Sequence, residues 1–390
     1  MADPHRILTT HVGSLPRPAT LTPLLIAENK GDAVDRARLA AEVDAAVAEV
    51  VTRQVATGVD IVNDGEMSKV AYTFYVKRCL TGIETAPPGS GAGPEGADLK
   101  AHPDFAEMQR RMRGGLGQRV DFPMCTGPVA YGDIAPLEAD LARLKRETAK
   151  AGAHAAFVPT ASPGVLVRFV RNEYYASEDA YLEALGEAMR VEYEAIHRAG
   201  FVLQLDCPDL GSSRNNVYQD LSDDEFLKIA RRHIAVLDHA TRNIPGESMR
   251  IHLCWGNYEG PHTHDIPLAK IAPVAFAHRA RAVSFEAANP RHEHEWEDLK
   301  EGDIPDDKVL IPGVLDSTTN FVEHPKLIAQ RLRNWAGVVG KERVIAGADC
   351  GFGTFAAREP TVAPSVVWAK FKAMADGAEI ATKRLWGRAS

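Results

Sequence analysis

Cysteine is scarce in this chain: five in 390 residues, Cys79, Cys125, Cys207, Cys254 and Cys350, odd in number and far apart. So few thiols in so long a chain make a poor disulfide framework; they are expected reduced, with some available as metal ligands. Long apolar runs are missing too. No stretch approaches about 18 consecutive apolar residues, and the opening MADPHRILTT has no apolar h-region, which predicts a soluble, cytoplasmic protein with no membrane partner. Nor is there an excess of positive charge. The formal net charge is -8 and the acidic residues are spread out, so nucleic acid is not expected as a partner. Internal repeats and interdomain linkers are also lacking.

What is present is an ordinary globular composition, 45% hydrophobic and 25% charged, ample for a large core. Apolar runs with strand character alternate with amphipathic stretches. Helices are predicted over Asp35–Thr57, Leu137–Ala151, Asp179–Ala199, Asp223–Thr241, Leu268–Arg279, Lys326–Val338 and Ala363–Leu385. Between them lie runs such as VDIVNDGE, FVLQLDCPD, RIHLCWGNY, AVSFEAA, KVLIPGVLD and RVIAGADCG. This alternation argues for parallel β-structure, and the number of units fits a closed barrel better than an open sheet. The expected fold is α/β, a single (β/α)8 TIM barrel over residues 1–390. Nine strand candidates compete for eight places, and the surplus is assigned to an insertion over 130–165. A Gly/Pro-rich stretch, 84–97, reads as a flexible exposed loop.

Within RIHLCWGNY, His252 and Cys254 stand two positions apart, so on a strand they point the same way. An imidazole and a thiol converging on one point suit zinc. Taken alone the pair is weak, since cysteine is commonly core filler and a lone core histidine is commonly just hydrogen bonded. In a barrel, however, the C-terminal strand ends meet around one mouth, and Glu286 and Cys350 share that position with His252 and Cys254. So do Asp64, Glu66, Asp206 and Asp316. One nitrogen, two thiolates and a carboxylate make an electron-rich, poorly Lewis-acidic zinc site, better suited to holding a substrate thiol as its thiolate than to activating water.

The motifs TTHVGSLPRP, NDGE, TGPV, FVRN, LQLDCPD, HLC, FEAA, PGVLD and ADCG resemble, in order and rough spacing, the catalytic barrel of cobalamin-independent methionine synthases. The resemblance runs from Thr9 to about Leu385. It implies zinc held by His252, Cys254, Glu286 and Cys350, binding homocysteine that accepts a methyl group from a folate. It also implies that Asp206 and Glu66 hold the amino acid's ammonium, and that Val12, Gly13 and Ser14 meet its carboxylate. Two departures weaken folate as donor: Val167 stands where the family has a stacking tryptophan, and Thr318 where it has a proton-donating histidine. The loop histidines His262, His264, His292 and His294 are candidate replacements, with His292 and His294 taken as the catalytic pair, although solvated loop histidines are the plainer reading. Epoxyalkane:coenzyme M transferases share the zinc and thiolate logic, and Arg17, Arg168, Arg171 or Arg291 would serve a sulfonate. The expected activity is therefore alkylation, most simply methylation, of a small-molecule thiol. The alternatives are thiol addition to an epoxide and a catalytically silent zinc barrel. A homo-oligomer is compatible with this reading.

Overall fold

The computed structural model describes residues 2–87, 95–113, 120–299 and 304–387. Nine strands follow in chain order: β1 (Ile61–Val62), β2 (Ile83–Thr85), β3 (Pro123–Cys125), β4 (Ala155–Ala161), β5 (Arg171–Asn172), β6 (Val202–Asp206), β7 (Met249–His252), β8 (Ala282–Phe285) and β9 (Val309–Pro312). Six of them form one all-parallel sheet in the order β1-β4-β6-β7-β8-β9, with α-helices between successive strands except β8 and β9, between which the described residues hold only the short 3-10 turn Glu295–Glu297. This mixed α/β arrangement is compatible with a (β/α)8 barrel. Two further extended stretches join its edges by parallel bridges, Thr10 to Ile61 at one and Leu310 to Val344 and Gly313 to Gly347 at the other, and they bridge to each other between Thr9 and Ala346.

Strand alternation divides the core in two. Phe157, Ile311 and Ile345 belong to a small inner cluster with Leu8, Ile61, Ala282 and Val309. Their neighbours Val158, Leu310 and Val344 face the larger cluster that the helices cover. The predicted helices form within a few residues of expectation. Helix Arg36–Ala56 starts where the Asp35 carboxylate accepts from the Ala37 and Arg38 backbone N–H groups, and it buries Leu39, Val43, Val47, Val50 and Val51. Helix Asp223–Ala240 opens on a reciprocal capping box between Ser222 and Glu225. Among the described residues no helix is long and apolar enough to cross a membrane.

Two expectations need correction. The surplus strand does not lie in an insertion over 130–165, because Ala155–Ala161 stands inside the parallel sheet between β1 and β6. The predicted strand that stands outside the sheet is β3, which pairs antiparallel with β2 and parallel with β5 in a separate three-stranded sheet. Short apolar runs look alike in either place, so periodicity does not separate them. The loop expected over 84–97 is likewise narrower: Glu84 and Thr85 belong to β2, Ala97 begins helix Ala97–Ala101, and 88–94 lie outside the described residues.

Candidate metal centre and its cavity

β7 ends at His252, two residues before Cys254, so the pair straddles a strand end. Extended pairing continues one residue further, where the Leu253 N–H donates to the Ser284 carbonyl at 2.8 Å, and alternation is kept. Cys350 follows the bridged stretch that ends at Gly347. The ligand atoms of His252, Cys254 and Cys350 all lie within 4.8 Å of one another, and all three residues are buried. The two sulfurs are 3.6 Å apart, close to the roughly 3.8 Å that two 2.3 Å zinc–sulfur bonds at a tetrahedral angle require.

His252 decides whether these residues fit a metal. Both of its ring nitrogens are buried and, among the described residues, neither makes a well-aligned hydrogen bond, the Ser284 backbone being the polar group beside the ring. A buried polar atom left unsatisfied costs about 1–3 kcal/mol, so an imidazole with two such atoms is poorly explained as core filler. Burial, then the charge of Arg250, lowers its pKa to about 3, which leaves the neutral form that ligates metals. The Cys350 sulfur and burial push the Cys254 thiol well above its ordinary value, and a cation among the three would reverse that.

Glu286 is buried beside this group without being one of the three converging donors. One carboxylate oxygen accepts from the Trp255 backbone N–H at 2.7 Å and the other from the Asn289 side-chain amide at 2.9 Å. Burial and then Cys254 raise its pKa well above the usual value.

The three donors open into a cavity of about 1750 Å³, which is also lined by Val12, Ser14, Glu66, Asp206, Arg168 and Thr318. Gly13 backs this wall: its φ of 145° favours glycine, and an added Cβ would press on Pro159 and on Glu66 Oε1. Gly351, next to Cys350, allows an equally close approach, since a Cβ there would collide with Ser14 Oγ. Asp206 accepts from the Gln204 side-chain amide at 2.7 Å. Burial, then the charge of Glu66, pushes its pKa well up. Glu66, at a φ of 57°, lies 3.5 Å from Arg17, yet burial still raises its pKa and Oε2 has no hydrogen-bond partner among the described residues. Two carboxylates that destabilise each other's charge in a buried cavity make a receptive place for a cation.

The proposed catalytic histidines stand elsewhere. His292 is buried behind Trp255, with ring centroids 4.5 Å apart. His294 is 64% exposed and lies 3.9 Å from Asp298. Neither lines the cavity: His294 is exposed on the turn after β8, as the plainer reading of loop histidines had it, whereas His292 is buried between Asp265 and Glu295. Thr318 does line it, but its hydroxyl donates to Asp316 at 2.7 Å. Of the four arginines, Arg17 and Arg168 reach the cavity, while Arg171 and Arg291 are exposed.

Sequence reasoning missed several supports. Asp349 accepts from the backbone N–H groups of Ala287, Ala288 and Asn289, which pins the turn after Glu286 to the turn that carries Cys350. Its place beside Cys350 in GADCG was the available signal. Asn257 bridges likewise, donating to the Gly351 carbonyl and accepting from Ser317.

No protein-family model matches the chain, and no curated protein matches it. Solved structures do. A B12-independent methionine synthase from Shewanella sp. W3-18-1, in complex with selenomethionine, is similar over 98% of this chain and 99% of that one, with a TM-score of 0.69 and 18% identity. A putative vitamin-B12 independent methionine synthase from Listeria monocytogenes is similar over 96% and 98%, with a TM-score of 0.64 and 17% identity. The resemblance read from the motifs thus has a counterpart in three dimensions: the chain shares the fold of these structures.

Proposed function

We propose that this chain is a zinc-dependent enzyme that transfers an alkyl group, most simply methyl, to the thiol of homocysteine or a close relative. The convergence of His252, Cys254 and Cys350 on one point at a cavity wall carries this reading. In it the two bridged edge stretches complete a single closed (β/α)8 barrel, whose strand ends surround the cavity. His252, Cys254 and Cys350 would hold the ion, and Glu286 is the reserve fourth ligand, released or engaged through its bonds to Trp255 and Asn289. When bound, zinc supplies a thiol kept as its thiolate at neutral pH.

The chain's own residues do the rest. Asp206, oriented by Gln204, and Glu66 face the substrate ammonium. Ser14 and the Val12–Gly13 backbone meet the carboxylate at the opposite end. Ser14, Glu66 and Asp206 are buried in the cavity wall, so both charged ends of a zwitterion gain from pairing there. The selenomethionine held by the Shewanella protein is an amino acid of this shape, an S-alkylated homocysteine with selenium for sulfur.

One observation favours a second reading. Thr318, already donating to Asp316, cannot act as a general acid near neutral pH, so a donor whose leaving group needs protonation is poorly served. Arg168 is half-buried at the cavity and bonded to Ser212 Oγ, and would suit an anionic thiol such as a sulfonate. Thiol addition to an epoxide is the corresponding activity.

Zinc K-edge absorption of the purified protein, with and without homocysteine, tests the proposal: a new zinc–sulfur contact is expected with homocysteine. An unchanged spectrum with homocysteine and with anionic thiols overturns both readings. Cys254→Ser is expected to lose the zinc held by His252, Cys254 and Cys350 and thiol alkylation together; metal content and activity both at the wild-type level would refute the ligand assignment.

A further inference from the structure

A second group of donors lies behind the cavity wall. His262 Nδ1 is 2.6 Å from Asp265 Oδ2, and His292 Nε2 is 3.2 Å from the same oxygen. Each ligand atom of the three lies within 4.8 Å of the others, and the side chains are 8%, 2% and 3% exposed for His262, Asp265 and His292. Two imidazole nitrogens aimed at one carboxylate oxygen suit two hydrogen bonds only while both inner nitrogens carry protons; with those protons removed, the same two nitrogens and oxygen suit a cation between them. Ligands at about 2.0–2.2 Å from a tetrahedral ion sit roughly 3.3–3.6 Å from one another; His292 Nε2, at 3.2 Å from Asp265 Oδ2, is near that spacing, and His262 Nδ1, at 2.6 Å, moves outward to admit the ion.

The remaining ring nitrogens are more telling. His262 Nε2 meets the Tyr258 carbonyl at 3.0 Å, and His292 Nδ1 meets the Glu295 carboxylate at 2.9 Å. A metal-bound histidine typically donates its free N–H to a backbone carbonyl or a carboxylate, which fixes the tautomer and aims the other lone pair at the ion. Here both rings are supported in that way from outside, and both inner nitrogens face Asp265.

We infer that a second divalent transition-metal ion, with zinc as the natural occupant, binds to His262 Nδ1, His292 Nε2 and a carboxylate oxygen of Asp265. The charge balances. Two imidazolium protons leave as one dication enters, against the same two carboxylates, Asp265 and Glu295. The donors are two nitrogens and an oxygen without a thiolate, so the site is chemically distinct from the first. It is also separated from it: the Trp255 ring lies against His292 and the Tyr258 ring against His262, at 4.5 and 4.4 Å between centroids. Its role is to tie the turn after β7 to the turn after β8, the two turns that present Cys254 and Glu286. His262 holds a φ of 53°, a left-handed backbone that a non-glycine residue adopts when its surroundings fix it.

Cobalt(II) loading of the full-length protein tests this without reference to turnover. After gel filtration, wild type is expected to keep two cobalt ions per chain. One should show an intense near-ultraviolet thiolate-to-cobalt band, and the other only weak visible transitions. The double variant C254S/C350S should keep one ion and lose the near-ultraviolet band. His262→Ala and His292→Ala should each keep one ion with that band intact. A single ion per chain in wild type that carries the near-ultraviolet band, or no ion in C254S/C350S, overturns the inference, as does loss of the weakly absorbing ion in the exposed-site variant His294→Ala. If a histidine variant does not fold, wild type and C254S/C350S still decide. Because the inference does not rest on the thiol chemistry, failure of the cysteine site alone would appear as one ion without the near-ultraviolet band.

Discussion

At the scale of single residues, the cavity is defined by polar atoms placed where a soluble core would avoid them. Among the described residues, neither ring nitrogen of His252 makes a well-aligned hydrogen bond, Glu66 Oε2 has only the Arg17 charge at 3.5 Å, and Asp206 sits buried against the charge of Glu66. Each costs stability in the empty cavity and recovers it when a ligand arrives, which is the usual signature of a binding site. For Asp206 the consequence is measurable. A charged hydrogen bond to an ammonium contributes about 1.5–3 kcal/mol, so Asp206→Asn should lower kcat/KM for homocysteine by roughly 30-fold, mostly through KM. The desamino analogue mercaptobutyrate offers no ammonium, and its kcat/KM should change little. Equal losses with both thiols would show that Asp206 supports the fold of the wall and not the amino group.

At the scale of elements, the site is made of strand ends, and that is where the sequence was most and least legible. His252, Cys254 and Cys350 could be found because their residue types are rare and their neighbours are strand-like runs ending in glycine. Glu286 and the loop histidines were harder, since the turn after β8 has no periodicity, and whether a side chain aims inward or outward there is set by bonds such as those of Asp349 to Ala287 and Asn289. The β3 run was misassigned for a related reason: three apolar residues look the same in either sheet. Junctions between elements also carry charge-state information that no motif shows. His278 is buried between helix Asp223–Ala240 and β8, accepting from the Ala280 N–H on Nδ1 and paired with Thr241 through Nε2. Burial lowers its pKa from 6.5 to about 4, so it stays neutral in the fold. An unfolded chain would take up this proton near pH 6.5; stability is therefore complete above that pH and declines as pH falls toward 4, by up to about 1.4 kcal/mol per unit. His278→Asn keeps an acceptor for Ala280 and cannot titrate. Between pH 7 and pH 5 it should lose up to about 2 kcal/mol less than wild type in urea unfolding, and parallel losses would contradict the assignment.

At the scale of the whole molecule, the proposed closure of the barrel depends on short bridges at Thr9, Thr10 and the Val344–Gly347 stretch, too few to hold a ring by backbone pairing alone. Arg250 supplies what they lack. From β7 its guanidinium donates to Gln204 Oε1 on β6 at 2.8 Å, to Thr10 Oγ1 at 3.0 Å and to the His11 carbonyl at 2.8 Å, while stacking 3.6 Å from the Phe157 ring centroid on β4. One side chain thus links three sheet strands to the N-terminal stretch that carries Val12, Gly13 and Ser14. Burial lowers its pKa to about 9, so it is still charged at neutral pH. Lysine keeps the charge but not the fork, so Arg250→Lys should forfeit two of the three bonds. At about 1.5 kcal/mol for each bond to a charged group, the expected cost is roughly 3 kcal/mol in urea unfolding. Because Ser14 would lose its anchorage with Thr10 and His11, KM for homocysteine should rise in the same variant while metal content stays at the wild-type level. A variant as stable as wild type would mean that the backbone bridges alone hold the N-terminal stretch in place, and the interior strut would have no part in closing the ring.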